Sequence, residues 1–341
     1  MRPMLLMMRD DPDFELHIQA CDMHTKEEFG STRKEIQEDF QYTALVTPEC
    51  DRPTELGYIA SGVAQYLGYI EPDLLMLYGD RGESLAAAMV AIEMCIPIAH
   101  LQGGDRSGTM DDRRRYAISA LADLHFVSTE QAAIQVTKIA PSTEHIYVTG
   151  DSHLDPIFLK DYAHTPEVYA HLNLETDKPV LIVLHHPDPT DSFSGHEYIH
   201  RIMDAIDDVE RQIVMIYPCS DPGWEHVVRA IEWFRGHENI QIHRNLPSRI
   251  FLGLMAVADC IIGNSSAGII EAPYLDLPCV NVGHRQDGRL QSGNVVNVGY
   301  DVLEIEAAMI EATHKRPPFN KLYGSGATGL RIINHLKEWK R

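Results

Sequence analysis

Positive charge is what this chain most lacks. Its 341 residues carry 29 lysines and arginines against 50 aspartates and glutamates, a net charge of −21, which argues against nucleic acid or an anionic membrane as the main partner. Long apolar runs are missing too. Residues 4–8 are apolar, but Arg9, Asp10 and Asp11 cut the run off, leaving it too short for a signal peptide or a membrane span. No low-complexity tract and no repeat of solenoid period occurs. The six cysteines, Cys21, Cys50, Cys95, Cys219, Cys260 and Cys279, show no CxxC spacing. Several lie in apolar runs and read as reduced core thiols of a cytoplasmic protein. No HExxH or similar metal-ligand spacing is registered on this reading, so no metal is expected.

What is present is a regular alternation. Short β-rich runs at 14–20, 74–78, 96–101, 124–128 and 145–148 are separated by helical patterns at 54–69, 83–94, 111–122 and 130–139. After a polar stretch at 160–178 the alternation restarts. Strands are expected at 179–184, 212–217, 239–243, 257–262 and 278–282, with helices at 196–209, 224–234, 247–257, 267–273 and 303–313. Such a pattern implies an α/β protein with two Rossmann-like, doubly wound domains, residues 1–160 and 161–326, and an amphipathic C-terminal helix (327–341) packing back on the first. In such folds ligands bind beyond the carboxyl ends of the strands, so functional residues are expected there, in a cleft between the domains.

Several polar clusters fall at those positions. Gly79, Asp80 and Arg81 follow one strand, where the carboxylate either faces a ligand or caps the next helix. In PIAHLQGGDRSGTMDD a strand ends and Gly103, Gly104 and Gly108 open a loop carrying Asp105, Asp111 and Asp112, a dense set of acid/base groups on an unobstructed frame. Asp111 and Arg115, four apart, share a helix face, which as a solvated ion pair would mean little. His185 and His186 end another strand. Successive strand residues point to opposite faces, so one of the two is expected toward the cleft. Finally, the strand ending at Ile262 opens onto Gly263, Asn264, Ser265 and Ser266, followed by the small residues Ala267 and Gly268. N–H groups at a helix start plus two hydroxyls favour a phosphate. The plainer alternative is a capped helix followed by a basic surface loop in which Arg285 and Arg289 flank Gly288.

Together these passages resemble the hydrolysing UDP-N-acetylglucosamine 2-epimerase family, in particular its sialic-acid-type branch. The likeness runs over nearly the whole chain: DMHTKEEFGSTRKEI at 22–36, YGDR at 78–81, HLQGGDRSGTMDD at 100–112, HHPDPTD at 185–191, GNSSAGIIEAP at 263–273 and GHRQDGRLQSGNV at 283–295. The resemblance implies a two-domain GT-B-like arrangement, commonly a homodimer, acting on a UDP-amino sugar without a cofactor. It implies Asp80, Asp105 and Asp111 as proton-transfer groups, with Arg115 beside them, and His186 at the diphosphate. By the same likeness Ser265 and Ser266 hold the pyrophosphate, Glu271 a ribose hydroxyl, Arg81 and Arg285 the nucleotide region, Leu246 the uracil through its backbone, and His24 the sugar. A GT-B glycosyltransferase and a non-catalytic sugar-nucleotide binder are the competing readings, and the acidic loop weighs against the former. Two departures from the family pattern stand out. The family's first strand and its arginine-bearing loop have no counterpart ahead of residues 2–8, so the first sheet is expected to lack a central strand. Gln102 stands where many relatives have glutamate, and an amide cannot serve as a base.

Overall fold

The structure, a computed structural model, describes residues 1–188, 195–206, 210–315 and 317–339. The chain divides into two compact units. The first comprises residues 1–27, 31–155 and the C-terminal segment from Tyr323; the second comprises 28–30 and 156–322.

The first unit opens with α1 (Arg2–Asp10) and a small parallel pair, β1 (Gln19–Cys21) and β2 (Thr43–Leu45), with α2 (Arg33–Asp39) between them. Then α3 (Arg52–Ile70), β3 (Leu75–Tyr78), α4 (Gly82–Glu93), β4 (Ile98–Leu101), α5 (Met110–Leu121), β5 (Leu124–Val127), α6 (Glu130–Val136) and β6 (Ile146–Val148) alternate. The helix starts follow local rules. Asp51 accepts the Thr54 N–H, Thr109 the Asp111 N–H and Thr129 the Ala132 N–H, each satisfying a donor that the helix itself leaves over. The larger sheet is wholly parallel in the order β3-β4-β5-β6. Among the described residues β1 pairs with β2 and β3 with β4, so the first unit holds two separate sheets. Both β4 and β5 are buried along their length, as strands covered on two faces must be.

The second unit contains α7 (Asp155–Phe158), α8 (Thr165–Leu172), β7 (Val180–Leu184), α9 (Gly195–Ile206), β8 (Gln212–Ile216), α10 (Trp224–Glu232), β9 (Ile240–His243), α11 (Ser248–Val257), β10 (Cys260–Gly263), α12 (Ala267–Ile270), β11 (Cys279–Val282), β12 (Val295–Val298) and α13 (Val302–His314). Its six strands are parallel in the order β12-β11-β10-β7-β8-β9. Chain order reverses between β7 and β10, the position at which doubly wound sheets open a crevice. Leu181, Ile182, Val183, Ile261 and Ile262 lie fully inside there, each apolar side chain contributing about 1.5–3 kcal/mol. The last helix, α14 (Thr328–Glu338), belongs to the first unit. Its Ile332, Ile333 and Leu336 pack with Met4 and Met8 of α1, and a Cβ at Gly329 would stand 2.6 Å from that of Met4.

Both units are thus Rossmann-like α/β domains. Elements that escape the periodicity analysis include α2, β2, α7, β12 and α8, the last inside the polar stretch at 160–178, where Pro166 starts it and Asn173, in the left-handed region, ends it. The strand expected at 14–20 is reduced to Gln19–Cys21, because Phe14 and Leu16 pack beside α14 instead of pairing. Val257 closes a helix rather than opening a strand, and the helix expected at 267–273 is four residues of α-helix followed by a 3-10 turn at Ala272–Tyr274. The expected ends of two helices, 207–209 and 340–341, lie outside the described residues.

Candidate functional site

Parallel register brings the first unit's chemistry into one row. Tyr78 pairs with Leu101, Leu101 with Phe126, and Val127 with Val148, so Gly79, Gln102, Ser128 and Thr149 leave the sheet side by side. Asp80 follows Gly79, whose φ of +69° tightens the exit, and His100 holds that exit from behind. Its Nε2 lies 2.8 Å from the Gly79 carbonyl and its Nδ1 3.0 Å from Ser119 Oγ. Burial drives His100 down to about 3, so the ring is neutral, with Nε2–H donating and Nδ1 accepting.

Arg115 organises the acids. Reaching up from α5 and almost wholly buried, it pairs through Nη2 with Asp80. Through Nη1 it donates to the Asp105 carbonyl at 2.9 Å, with Ser107 Oγ at 3.3 Å and Asp112 Oδ1 at 3.5 Å. Burial works against the charge of this guanidinium, but the carboxylates of Asp80, Asp105, Asp112 and Asp111 outweigh it and raise its pKa. Its recorded ion pairs are with Asp80 and Asp112, whereas Asp111 lies 3.6 Å from Arg114. The i,i+4 reading of Asp111 and Arg115 therefore gives way to a pairing between α5 and the end of β3. Asp105 accepts Ser128 Oγ at 2.8 Å. Asp112 clamps the glycine loop by accepting the Ser107 and Gly108 N–H groups at 2.6 and 3.1 Å. The loop's path needs glycine, since a Cβ at Gly104 would fall 2.2 Å from the Ala132 carbonyl oxygen. Gln102, at φ +62°, donates to Asp151 Oδ2 at 2.7 Å, while Tyr78 Oη and the His153 N–H donate to Asp151 Oδ1 at 3.0 and 2.9 Å.

Two expected contact residues of this unit stand a little apart. Arg81 pairs with Glu83 at 3.1 Å and Asp22 at 3.5 Å, within a network in which Asp22 also meets Arg52 at 3.0 Å and Lys26 at 3.2 Å. His24 is exposed, with Nδ1 2.7 Å from Thr32 Oγ1.

In the second unit the crevice between β7 and β10 is tied by one side chain. Leu184 pairs with Gly263, so His185 and His186 leave β7 beside Asn264. Asn264, fully buried, accepts the His186 N–H at 2.6 Å and donates to the His186 carbonyl at 2.9 Å. His185 is buried against Tyr198 and Tyr300, and His186 is the half-buried one of the pair. The Cys219 N–H donates to His186 Nδ1 at 3.0 Å, which leaves the neutral ring's proton on Nε2. Ser265 Oγ accepts the Ala267 N–H at 3.3 Å, and Ser266 sits half-buried at the start of α12. With four residues α12 offers little dipole, so an anion here would rest on N–H and hydroxyl groups. Arg285 returns to the same turn, 3.4 Å from both the Asn264 carbonyl and Asp221 Oδ2, and Gln286 Nε2 donates to that carbonyl at 2.8 Å. Glu271 follows α12, half-buried, and Leu246 is buried between β9 and α11.

Two Rossmann-like domains, one with arginine-gathered carboxylates at its strand ends and the other with a histidine and serines at its switch point, define an α/β protein of the GT-B-like fold class. Sequence comparison narrows the class. The chain belongs to the UDP-N-acetylglucosamine 2-epimerase family, whose profile matches residues 7–337. A hydrolysing UDP-N,N'-diacetylbacillosamine 2-epimerase of Legionella pneumophila subsp. pneumophila is 32% identical over 346 residues, spanning 99% of this chain and 92% of its own. A UDP-N-acetylglucosamine 2-epimerase of Neisseria meningitidis serogroup B is 30% identical over 316 residues, spanning 92% and 83%. Among solved structures, the UDP-GlcNAc 2-epimerase from Neisseria meningitidis bound to UDP-GlcNAc superposes with a TM-score of 0.84 at 19% identity, covering 99% of this chain and 95% of that one. The Methanocaldococcus jannaschii UDP-GlcNAc 2-epimerase in complex with UDP-GlcNAc and UDP gives 0.83 at 19% identity, covering 98% and 95%.

Sequence reasoning passed over several residues that shape these sites. His100 and Asp151 act at tertiary range, and only their places just inside or just past strands could have flagged them, while Asn264, named in the turn, ties His186 rather than capping a helix. One omission was legible in the sequence: residues 196–200, HEYIH, carry the HExxH spacing. The reading that no such spacing occurs is therefore corrected.

Proposed function

We propose that this chain is a hydrolysing epimerase, converting UDP-N-acetylglucosamine or a close UDP-amino sugar and water to UDP and N-acetylmannosamine or its analogue. A carboxylate takes the proton from C2 as the C1–O bond breaks and UDP departs, leaving a 2-acetamidoglucal. Water then adds across the double bond, the hydroxyl at C1 and a proton on the opposite face of C2. In this reading the first domain, residues 1–160 with the closing helix 327–341, acts on the pyranose ring through Asp80, Asp105 and Asp111. The second domain, 161–326, grips the diphosphate with His186, Ser265, Ser266 and Arg285, and the nucleoside with Leu246 and Glu271. His24 and Arg81 complete the substrate contacts. The family likeness extends the reading to a cytoplasmic homodimer serving sialic-acid-type sugar synthesis.

One observation carries it: Arg115 draws Asp80 and the Asp105 loop to one edge of the sheet, which gathers acid/base groups there. His186 supports it, because accepting the Cys219 N–H at Nδ1 fixes the neutral ring in the tautomer whose Nε2 is a donor, the form suited to a phosphate oxygen. The test is incubation with UDP-N-acetylglucosamine in heavy water. Release of UDP with N-acetylmannosamine deuterated at C2 is expected. UDP release with unchanged C2 configuration, or sugar transfer to an added acceptor, would overturn it.

A further inference from the structure

We propose that His196 and His200, one turn apart on α9, form a bidentate site for a divalent transition metal ion. The motif is His196-Glu197-Tyr198-Ile199-His200 on a twelve-residue helix. A helix sets residues i and i+4 on one face, and here the two imidazoles converge. Their Nε2 atoms are 3.2 Å apart and their ring centroids 4.3 Å, at an interplanar angle of 40°.

That spacing has a chemical meaning. Two nitrogens bound at about 2.0–2.1 Å to one metal stand about 2.9 Å apart at a right angle and about 3.3 Å apart at the tetrahedral angle. The observed separation lies between these limits. The face is accessible, since His196 is exposed and His200 half-buried. Tyr198 and Ile199, between the histidines, are buried in the second domain's core and fix the helix from beneath. No group of three or more His, Cys, Asp or Glu placed to hold a metal occurs among the described residues. The described residues therefore supply two ligands, leaving the other positions to water or a further donor. Imidazole pairs suit copper, nickel and zinc, with Cu(II) bound most tightly. A metalloprotease reading of the HExxH spacing needs a third protein ligand and is not proposed.

Trp233, whose ring meets that of His200 edge-on at a centroid distance of 6.1 Å, supplies a reporter. Purified protein free of affinity tags is titrated with CuCl2 and, separately, ZnCl2 at neutral pH, following tryptophan fluorescence and calorimetric heats. Cu(II) is expected to quench part of the emission saturably at one equivalent, reversed by chelator, and to bind more tightly than Zn(II). His196→Ala and His200→Ala are each expected to weaken binding at least about tenfold, a loss of two-point coordination, and Trp233→Phe to remove the quenching while leaving the calorimetric heats. Each variant's thermal midpoint without metal shows that it is folded. Equal affinity in the wild type and the folded double His variant, or quenching that survives Trp233→Phe, would overturn the site. Neither result bears on the epimerase reading, since these residues take no part in it.

Discussion

Asn264→Ala probes the second domain most directly. Asn264 is fully buried and its amide satisfies both backbone groups of His186, the N–H at 2.6 Å and the carbonyl at 2.9 Å. Stranding a buried polar group costs about 1–3 kcal/mol. Two are stranded here, but His186 is half-buried, and water can reach part of what is lost. The expected destabilisation is therefore about 2 kcal/mol, a fall of roughly 1 M in the urea midpoint of this domain. Because the same bonds hold the His186 ring where the Cys219 N–H meets Nδ1, UDP affinity measured by calorimetry should fall about tenfold as well. Asn264→Asp keeps the acceptor for the His186 N–H and loses the donor to its carbonyl, so its urea midpoint should fall between the two. An Ala variant with wild-type midpoint and wild-type UDP affinity would refute the idea that this amide staples the switch point.

Four further outcomes follow from the same geometry. Gly263→Ala should destabilise by about 3 kcal/mol or more, since its Cβ would fall 2.1 Å from the Leu184 carbonyl oxygen at a φ of +137°; thermal unfolding checks it. Arg115→Lys keeps a charge but not the fork that reaches Asp80 and the Asp105 carbonyl together, so turnover should collapse while stability drops about 2 kcal/mol, read by kinetics and denaturation. Gln102→Glu would set two carboxyl groups about 2.7 Å apart against Asp151 and should retain a proton there. Its stability relative to wild type should fall as pH rises from 5 to 8, and Asp151→Asn should cancel that slope. Burial holds His100 at about 3 and His125 at about 4, below the ordinary 6.5. The unfolded chain then takes up protons that the native state refuses, so their contribution is complete above pH 6.5 and is lost as pH falls toward 4. At pH 5 the loss is about 2 kcal/mol for each, and denaturation across that range, with His100→Gln flattening it, is the check.

Elements with strong periodicity were legible in the chain: β7, β10 and α9 announce themselves as apolar runs or a helical stripe with turn residues at their ends. Strand ends marked Asp80, the Asp105 loop, the His185–His186 pair and the Ser265 turn as candidates, because ligands in parallel sheets meet the chain there, while the choice of His186 came from the family likeness. Short elements such as β2 and β12 were not, since three or four residues carry too little pattern to separate from coil. The HEYIH spacing shows the opposite failure, a local signal present in the sequence and passed over.

Composition and local pattern by themselves determined an acidic α/β protein of two parallel-sheet domains, with its polar clusters after the strands, because periodicity and turn chemistry are properties of neighbours along the chain. Partnership was decided only in three dimensions. That Arg115 serves Asp80 rather than Asp111, that Gln102 answers to Asp151, and that Asn264 holds His186 are pairings across 35, 49 and 78 positions. They exist because strand register and sheet order, which no single segment encodes, set those strand ends side by side.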